Sequence, residues 1–145
     1  MKRFILYSSL LAIVGSAIVT TPAQAIPAIF RRTTVPLNLP VGNGVPRVIH
    51  AVIVPAGPRV INYSVTTTNF AAGEFVRCGL RANGNFLEQH STVVGGGPSA
   101  ANVATISGVW FTNFNAPYTL TLVCSHDGAS ASVPFLEPYA ELAVF

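Results

Sequence analysis

Residues 75–94 read FVRCGLRANGNFLEQHSTVV, and this stretch decides the fold. Over its first eight residues, apolar side chains alternate with polar or small ones, which is typical of an antiparallel strand with one buried face. The apolar set consists of Val76, Cys78 and Leu80. The alternating set consists of Arg77, Gly79 and Arg81. Asn83-Gly84 then favours a two-residue hairpin turn, so residues 86–94 are expected to return beside the first strand.

The rest of the chain repeats this pattern of short β-type segments separated by glycine and proline. No window of the chain after residue 25 carries the apolar period of a helix. The further predicted strands are 33–39, 47–54, 60–68, 103–111, 118–125, 130–135 and about 139–144. About eight short strands at regular spacing predict an all-β protein, a two-sheet antiparallel β-sandwich. A jelly roll is the topology that we expect first.

The N-terminal residues have the three parts of a secretory signal peptide. Lys2 and Arg3 precede an apolar stretch at 4–19, and Ala23-Gln24-Ala25 is a small-x-small cleavage site. The alternative is an uncleaved anchor, but serines and a glycine dilute the apolar stretch. We therefore predict a signal peptide at 1–25, a proline-rich lead with a first strand at 26–45, and a β-sandwich domain at 46–145. The mature protein is expected to be secreted or periplasmic and not integral to a membrane.

The charge balance excludes one class of partner. Charged residues make up 9% of the chain, which has a formal net charge of +3. Cleavage after Ala25 would remove Lys2 and Arg3 and leave +1, with arginines scattered along the chain. A nucleic-acid-binding protein needs a concentrated basic surface, which this sequence lacks. A surface made of Thr, Ser, Asn and Gly favours self-association or an uncharged ligand.

The two cysteines are expected to form a disulfide. Cys78 shares a strand face with Val76 and Leu80, and Cys124 shares one with Leu120 and Leu122, so both side chains point towards the core. In the oxidising environment of an exported protein, such a pair forms a disulfide. A closed loop of this length stabilises the fold by about 4 kcal/mol in the chain-entropy model. A reactive or metal-binding thiol pair is the alternative, but the surroundings are apolar and no Cys-x-x-Cys spacing occurs.

Four segments carry a resemblance to a known group of domains. They are residues 52–57 (VIVPAG), 76–80 (VRCGL), 120–124 (LTLVC) and 140–144 (AELAV). Their order resembles small secreted bacterial β-sandwich domains, which are similar to the jelly roll of complement C1q and tumour necrosis factor proteins. The resemblance implies a jelly-roll fold, a disulfide bridge and self-association. It implies no enzymatic activity.

No arrangement of residues points to catalysis, a metal or a cofactor. Ser125, His126 and Asp127 are adjacent, and neighbouring side chains cannot form the relay of a hydrolase triad. His50, His90 and His126 match no ligand spacing for zinc. The glycine-rich run at 95–99 lacks the Gly-Lys-Ser/Thr and the helix of a phosphate loop. We therefore expect no metal, no cofactor and no enzyme.

Two groups of residues are candidates for ligand binding. The first is an aromatic loop with neighbouring amides, which resembles how sandwich domains stack on sugar rings. Its residues are Trp110, Asn113, Phe114, Asn115 and Tyr118. The alternative is that its aromatic rings pack in the core. The second group is Arg77 and Arg81, which share one strand face and are a candidate clamp for an acidic ligand. The alternative is that the two arginines form exposed ion pairs with Glu74 and Glu88.

These observations favour a non-enzymatic exported β-sandwich that presents a surface to a protein partner or to its own copies. The alternative is a carbohydrate or cell-surface binding module that uses the aromatic loop. A pilus subunit is a third possibility, because such subunits are small, exported, all-β and hold one disulfide. Its expected C-terminal pattern is missing here.

Overall fold

The structure is a computed structural model that describes residues 27–42, 44–96, 102–128 and 133–145. The predicted signal peptide at 1–25 lies outside the described residues. The described residues form ten strands and no helix. The strands are β1 (Ile29–Arg32), β2 (Leu37–Asn38), β3 (Arg47–Val54), β4 (Gly57–Asn69), β5 (Glu74–Ala82), β6 (Asn85–Val94), β7 (Asn102–Phe114), β8 (Tyr118–His126), β9 (Phe135–Leu136) and β10 (Glu141–Val144).

The hairpin of β5 and β6 forms as the sequence predicts. Asn83 and Gly84 have φ values of 47° and 87°, and two positive φ values in succession are the requirement of the hairpin turn that this dipeptide favours. Ala82 pairs with Asn85, and Arg81 pairs with Phe86. Leu80 then pairs with Glu88, so Leu87 is an extra residue that forms a β-bulge.

The strands form two antiparallel sheets, which confirms the two-sheet sandwich. Sheet A has six strands, in which β4 pairs with β10 and β9 along one edge and with β7 along the other. Strand β1 extends it beyond β10, and β2 extends it beyond β9. Sheet B has four strands in the order β3-β8-β5-β6.

The pairing pattern is that of a jelly roll. Strand β1 pairs with β10, β3 with β8, β4 with β7, and β5 with β6. These pairs are nested along the chain, as in one long antiparallel ribbon whose turn is the hairpin of β5 and β6. When the ribbon folds over, alternate pairs join different sheets, which produces the eight-stranded double sheet of this architecture.

The core lies between the two sheets and follows the alternation that the sequence predicts. Sheet A contributes Ile61, Tyr63 and Val65 from β4, which are all buried. Sheet B contributes the inward face of β5, where Val76, Cys78 and Leu80 are buried and Arg77 and Arg81 are not. Leu120, Leu122, Leu136, Leu142 and Val144 complete the centre of the core.

The disulfide forms between the two cysteines that the sequence contains. Cys78 and Cys124 are directly opposite each other on β5 and β8, with their Cα atoms 4.1 Å apart. Both side chains are buried. The bridge therefore joins two neighbouring strands in the middle of sheet B and does not link the two sheets.

Some predicted boundaries differ from the structure. The first strand, predicted at 33–39, is replaced by β1 and β2, because Pro36 separates them and cannot donate a ladder hydrogen bond. Strand β1, within the predicted lead, is part of the sandwich, since it pairs with β10. Strand β10 begins at Glu141 because Tyr139, with a φ of 75°, lies in a turn. For the predicted strand at 130–135, residues 130–132 lie outside the described part, and β9 begins at Phe135.

Candidate functional site

The outer face of sheet A carries an apolar patch at one end. Register places Phe111 of β7 beside Val60 of β4, and Val60 exchanges two backbone hydrogen bonds with Phe145, at 2.9 and 3.1 Å. The next outward row contains Phe30 on β1 and Val109 on β7. We call these residues, Phe30, Val60, Val109, Phe111 and Phe145, the apolar patch. Phe111 is 71% exposed, and a cleft of about 420 Å³ lies between it, Val60 and Phe145.

Hydrophilic residues border the apolar patch on this face. Arg32 pairs with Glu141 at 3.0 Å in the next outward row. Beyond it, the hydroxyls of Thr66 and Thr105 are 3.0 Å apart on β4 and β7. The apolar patch is therefore bounded by polar residues on one side, which is the arrangement of many interaction sites.

Strand β7 is a long edge strand of sheet A beside the apolar patch, and β6 of sheet B lies close to it without pairing. In the described part of the chain its ladder partner is β4, along the whole length Asn102–Phe114. None of its 13 residues is charged. Natural proteins usually protect such an edge with charged residues, proline or a bulge, because unpaired N–H and C=O groups recruit another strand. This edge lacks all three protections.

The predicted aromatic-loop site lies partly in the core. Phe114 is 6% exposed, and its ring stacks on that of Tyr118 with the centroids 4.8 Å apart. Trp110 is half-buried against the core, on the inner face of β7 opposite Ile61. Asn113 and Asn115 are exposed. The rings of Phe114 and Tyr118 thus pack on each other, and glycan binding through this loop stays a prediction.

A cleft of about 390 Å³ does lie beside that loop. Asn113, Phe114, Asn115 and Tyr118 line it on one side. Asn85 and Leu87 of the β5–β6 hairpin line the other side. The cleft brings four of the five predicted residues together, while Trp110 does not line it. Sequence reasoning missed Asn85, because its position depends on the pairing of distant strands.

The adjacent Ser125, His126 and Asp127 point in different directions. His126 is fully buried, with Nδ1 2.8 Å from a Glu74 carboxylate oxygen and Nε2 2.8 Å from the Pro40 carbonyl oxygen. Because a carbonyl can only accept, Nε2 donates to Pro40. Asp127 instead pairs with Arg77. His126 on β8 thus connects Glu74 of β5 with Pro40. Both of its ring nitrogens already have hydrogen-bond partners, so it is not arranged as a catalytic base.

The other two histidines, His50 and His90, make contacts that are separate from those of His126. Nε2 of His50 lies 2.8 Å from the carbonyl oxygen of Ala140, which links β3 to the turn before β10. His90 lies opposite Cys78 on the core side of β6, at the exposed opening of the sandwich, and not on the outward face where the sequence placed it. In the described ranges, no three His, Cys, Asp or Glu residues are grouped to hold a metal ion.

Glu88 and Tyr63 form a buried polar contact at the same opening. Burial raises the pKa of Tyr63 well above its ordinary value of 10.0, and the charge of Glu88 and a hydrogen bond with it raise the pKa further. The Tyr63 hydroxyl also donates to the carbonyl oxygen of Cys78 at 3.5 Å. Gly108 faces both side chains from β7. The Leu87 bulge places Glu88 here, and so the predicted pairing of Glu88 with Arg77 or Arg81 is wrong.

Arg77 and Arg81 stand on the outer face of sheet B. Asp127 hydrogen-bonds Arg77 and raises the pKa of its guanidinium. The Arg81 guanidinium lies over the ring of Phe86, 4.0 Å from its centroid. Both arginines line a cleft of about 210 Å³ whose other walls include Phe86, Gln89 and Ser125. We call this cleft the arginine cleft.

Comparison with solved structures finds the same fold in proteins of viral particles. The chain matches the structure of the infectious bursal disease virus Gx strain at 9% identity and a TM-score of 0.53, covering 81% of this chain and 31% of that one. It also matches T=1 particles derived from infectious bursal virus at 13% identity and a TM-score of 0.52, covering 94% of this chain and 35% of that one. The chain thus spans about a third of the length of these structures.

These matches show the fold, a jelly roll, and define the chain as an all-β sandwich. No family model matches the chain, and no curated protein matches it in sequence. The resemblance to secreted bacterial domains of the C1q and tumour necrosis factor type stays a prediction. The described residues include no helix that is long and apolar enough to cross a membrane.

Proposed function

We propose that this protein is an exported, non-enzymatic β-sandwich that associates with further copies of itself through the β7 side of sheet A. The observation that carries the proposal is the combination of the apolar patch with the uncharged edge of β7, whose one ladder partner in the described residues is β4. A partner that covers both would remove apolar surface from water and satisfy the unpaired backbone groups of the edge.

A second copy of the chain is the partner that best fits this surface. The side chains of the apolar patch carry no charge, and Arg59, which also lines its cleft, is already buried and donates hydrogen bonds to main-chain carbonyls. Two copies can therefore bring the patch together without burying a newly exposed ion. The edge of β7 can pair with the same edge of another copy around a two-fold axis, because antiparallel pairing is compatible with that symmetry. Among the structures with this fold are T=1 particles, which are assemblies of viral chains, and this supports self-association as a use of the fold.

Two features support export and action without catalysis. The buried disulfide is of the kind that forms in oxidising compartments, which agrees with the predicted signal peptide at 1–25. The histidines of the described residues bond to main-chain carbonyls or carboxylates and are not grouped around a nucleophile. We therefore propose a structural role in which the surface itself is the functional element.

Light scattering of the purified, oxidised protein tests the proposal. We expect a molar mass that is a multiple of the protomer mass, and Phe111→Glu should weaken association by about 2–4 kcal/mol, as loss of a central interface residue does. The matched control is Ile53→Glu, because Ile53 is 73% exposed on the outer face of the other sheet. A monomer at every concentration, or equal loss with Ile53→Glu, would contradict self-association through this side.

A further inference from the structure

The second outer face, that of sheet B, carries a feature that self-association through sheet A does not use. The arginine cleft is formed by two guanidinium groups on one strand face, four residues apart. Their Cα atoms are about 13 Å apart along an extended strand, so the two long side chains can reach a common point between them. Gly79 lies between them, opposite Val123 and Gln89.

The strand position between the two arginines, Gly79, has no side chain and lies close to the backbone of β6. A Cβ atom at Gly79 would lie 2.3 Å from the carbonyl oxygen of Glu88 and 2.9 Å from the Cα of Gln89. The close approach of β6 therefore requires glycine here. The cleft between Arg77 and Arg81 is bounded by Phe86 and Gln89 on the side of β6. On the side of β8 it is bounded by Val123, Cys124 and Ser125, and Gly44 and Pro46 also line it.

The two arginines differ in how their charge is compensated. Arg77 is paired with Asp127, which neutralises it and holds it in place. Among the described residues, no carboxylate lies within ion-pairing distance of Arg81. Its Nε–H is buried and has no hydrogen-bond acceptor in the described structure. A buried donor without an acceptor is unfavourable, so the cleft has one free positive charge and at least one donor that needs an acceptor.

We propose that the arginine cleft binds a small monoanionic oxyanion, a carboxylate or a sulfate-type group. Arginine presents several N–H donors in a fixed plane that matches two oxygens of such a group. Stacking on Phe86 fixes the plane of the Arg81 guanidinium before the ligand arrives. The hydroxyl of Ser125 and the amide of Gln89 supply further donors at the walls.

The volume of the cleft sets the size of the ligand. About 210 Å³ holds roughly seven water molecules at 30 Å³ each, which is the space of a single sugar ring or a smaller body bearing the anionic group. A single free charge favours one anionic group over several. The ligand is therefore a small acid, or one acidic residue of a larger chain that rests on the surface of sheet B.

Nuclear magnetic resonance of the protein purified after expression of the full chain tests this site. The probes are glucuronate for the carboxylate, methyl sulfate for the tetrahedral group and glucose as the neutral body, with ionic strength held constant by sodium chloride. We expect at least one of the anions to shift the Arg81 Nε–H and the Gly79 and Gln89 amides to saturation. Glucose should leave them unchanged.

Variants separate a specific site from general attraction of anions. Arg81→Gln should weaken binding about tenfold, because one charged, planar donor group is removed. Arg81→Lys keeps the charge but loses the planar fork, so it should bind with intermediate affinity. The matched control is Arg31→Gln, because Arg31 is exposed on β1 and bonds only the neighbouring Phe30 carbonyl. Unchanged amide dispersion would show that each variant is folded.

Two results would overturn the site. One is that neither anion gives saturable shifts at these three groups. The other is that Arg81→Gln and Arg31→Gln change the affinity equally, which would mean that net charge alone attracts the anion. Neither result bears on the proposed self-association, because Phe111 and Arg81 lie on the outer faces of different sheets.

Discussion

The outer faces of the two sheets offer different chemistry. Sheet A presents the apolar patch and the uncharged edge of β7, while sheet B presents a cleft lined by Arg77 and Arg81, of which Arg77 is paired with Asp127. In a chain with 9% charged residues, this placement is informative, because the side chains of the apolar patch carry no charge and the neighbouring Arg59 is buried. The comparison indicates that a neutral surface and a cationic site are kept apart on opposite sides of one sandwich.

The strongest contrast between the sheets is the disulfide, which crosses sheet B and has no counterpart in sheet A among the described residues. Replacing both Cys78 and Cys124 with alanine should lower the free energy of unfolding by about 4 kcal/mol, because the unfolded chain loses a constraint across 46 residues. Urea denaturation followed by tryptophan fluorescence measures this loss. The reference is the unsubstituted protein, with its disulfide intact, under the same conditions. A change below about 1 kcal/mol would mean that the bridge adds little to the paired strands.

The second prediction separates the inner from the outer side of β7. Phe114 is buried and stacked on Tyr118, so Phe114→Ala should cost about 3 kcal/mol of stability through the lost contacts and the cavity. Phe111 is exposed on the other side of the same strand, and Phe111→Ser should change stability by less than about 0.5 kcal/mol. Thermal unfolding of dilute protein compares the two. A large loss with Phe111→Ser would mean that the apolar patch belongs to the fold and not to an interface.

Much of this architecture follows from local sequence patterns. Alternation in β4 and β5 predicts which side chains point inward, and Asn83-Gly84 predicts a hairpin with two positive φ values. Both signals depend only on neighbouring residues, because a strand has a period of two and a turn has fixed dihedral requirements. The hairpin in turn positions the nested pairs that make the jelly roll.

The Leu87 bulge explains the main failure of the sequence prediction. Without it, Glu88 would lie opposite Gly79 and point outward towards the arginines. One inserted residue moves Glu88 opposite Leu80, on the core side, and turns His90 inward in the same way. The sequence of β6 gives no sign of the insertion, because residues 85–94 do not alternate clearly between apolar and polar side chains.

The apolar patch was also beyond prediction from sequence alone. Its residues come from β1, β4, β7 and the residue that follows β10, which are far apart in the chain and become neighbours only through the register of sheet A. Each exposed apolar residue is unremarkable by itself. The partner of Arg77 was missed for the same reason, since Asp127 is 50 residues away and is reached through the pairing of β5 with β8.

A third prediction compares one glycine from each sheet. At Gly79 in sheet B, a new Cβ would meet backbone atoms of β6 at 2.3 and 2.9 Å, and backbone cannot move aside without disturbing the ladder. At Gly108 in sheet A, it would meet the Glu88 carboxylate at 2.5 Å and the Tyr63 ring at 2.6 Å. Gly79→Ala should therefore cost about 3 kcal/mol and Gly108→Ala about 1–2 kcal/mol, because a side chain can shift. Chemical denaturation compares the free energies of unfolding of the two variants. A larger loss with Gly108→Ala would mean that the side chains around Tyr63 yield less than the backbone of β6.

The smallest expected effect concerns the interior between the sheets and is confined to alkaline pH. The pKa of Tyr63 is raised in the folded protein by burial, by the Glu88 charge and by a hydrogen bond with Glu88, whereas the unfolded chain releases this proton near pH 10. Above that pH the unfolded state binds fewer protons than the folded state, so stability falls as the pH rises. At neutral pH both states hold the proton, and no contribution is expected.

Ultraviolet absorbance of phenolate tests this last prediction within the described residues. Because its pKa is raised in the folded protein, Tyr63 should contribute phenolate absorbance only with unfolding. Tyr63→Phe should remove the late ionisation and reduce the loss of stability between neutral and alkaline pH. Tyr139→Phe is the control, because Tyr139 is 59% exposed in the turn before β10. Phenolate absorbance that is lost with Tyr63→Phe but appears before unfolding would mean that water reaches Tyr63 through the opening between β6 and β7.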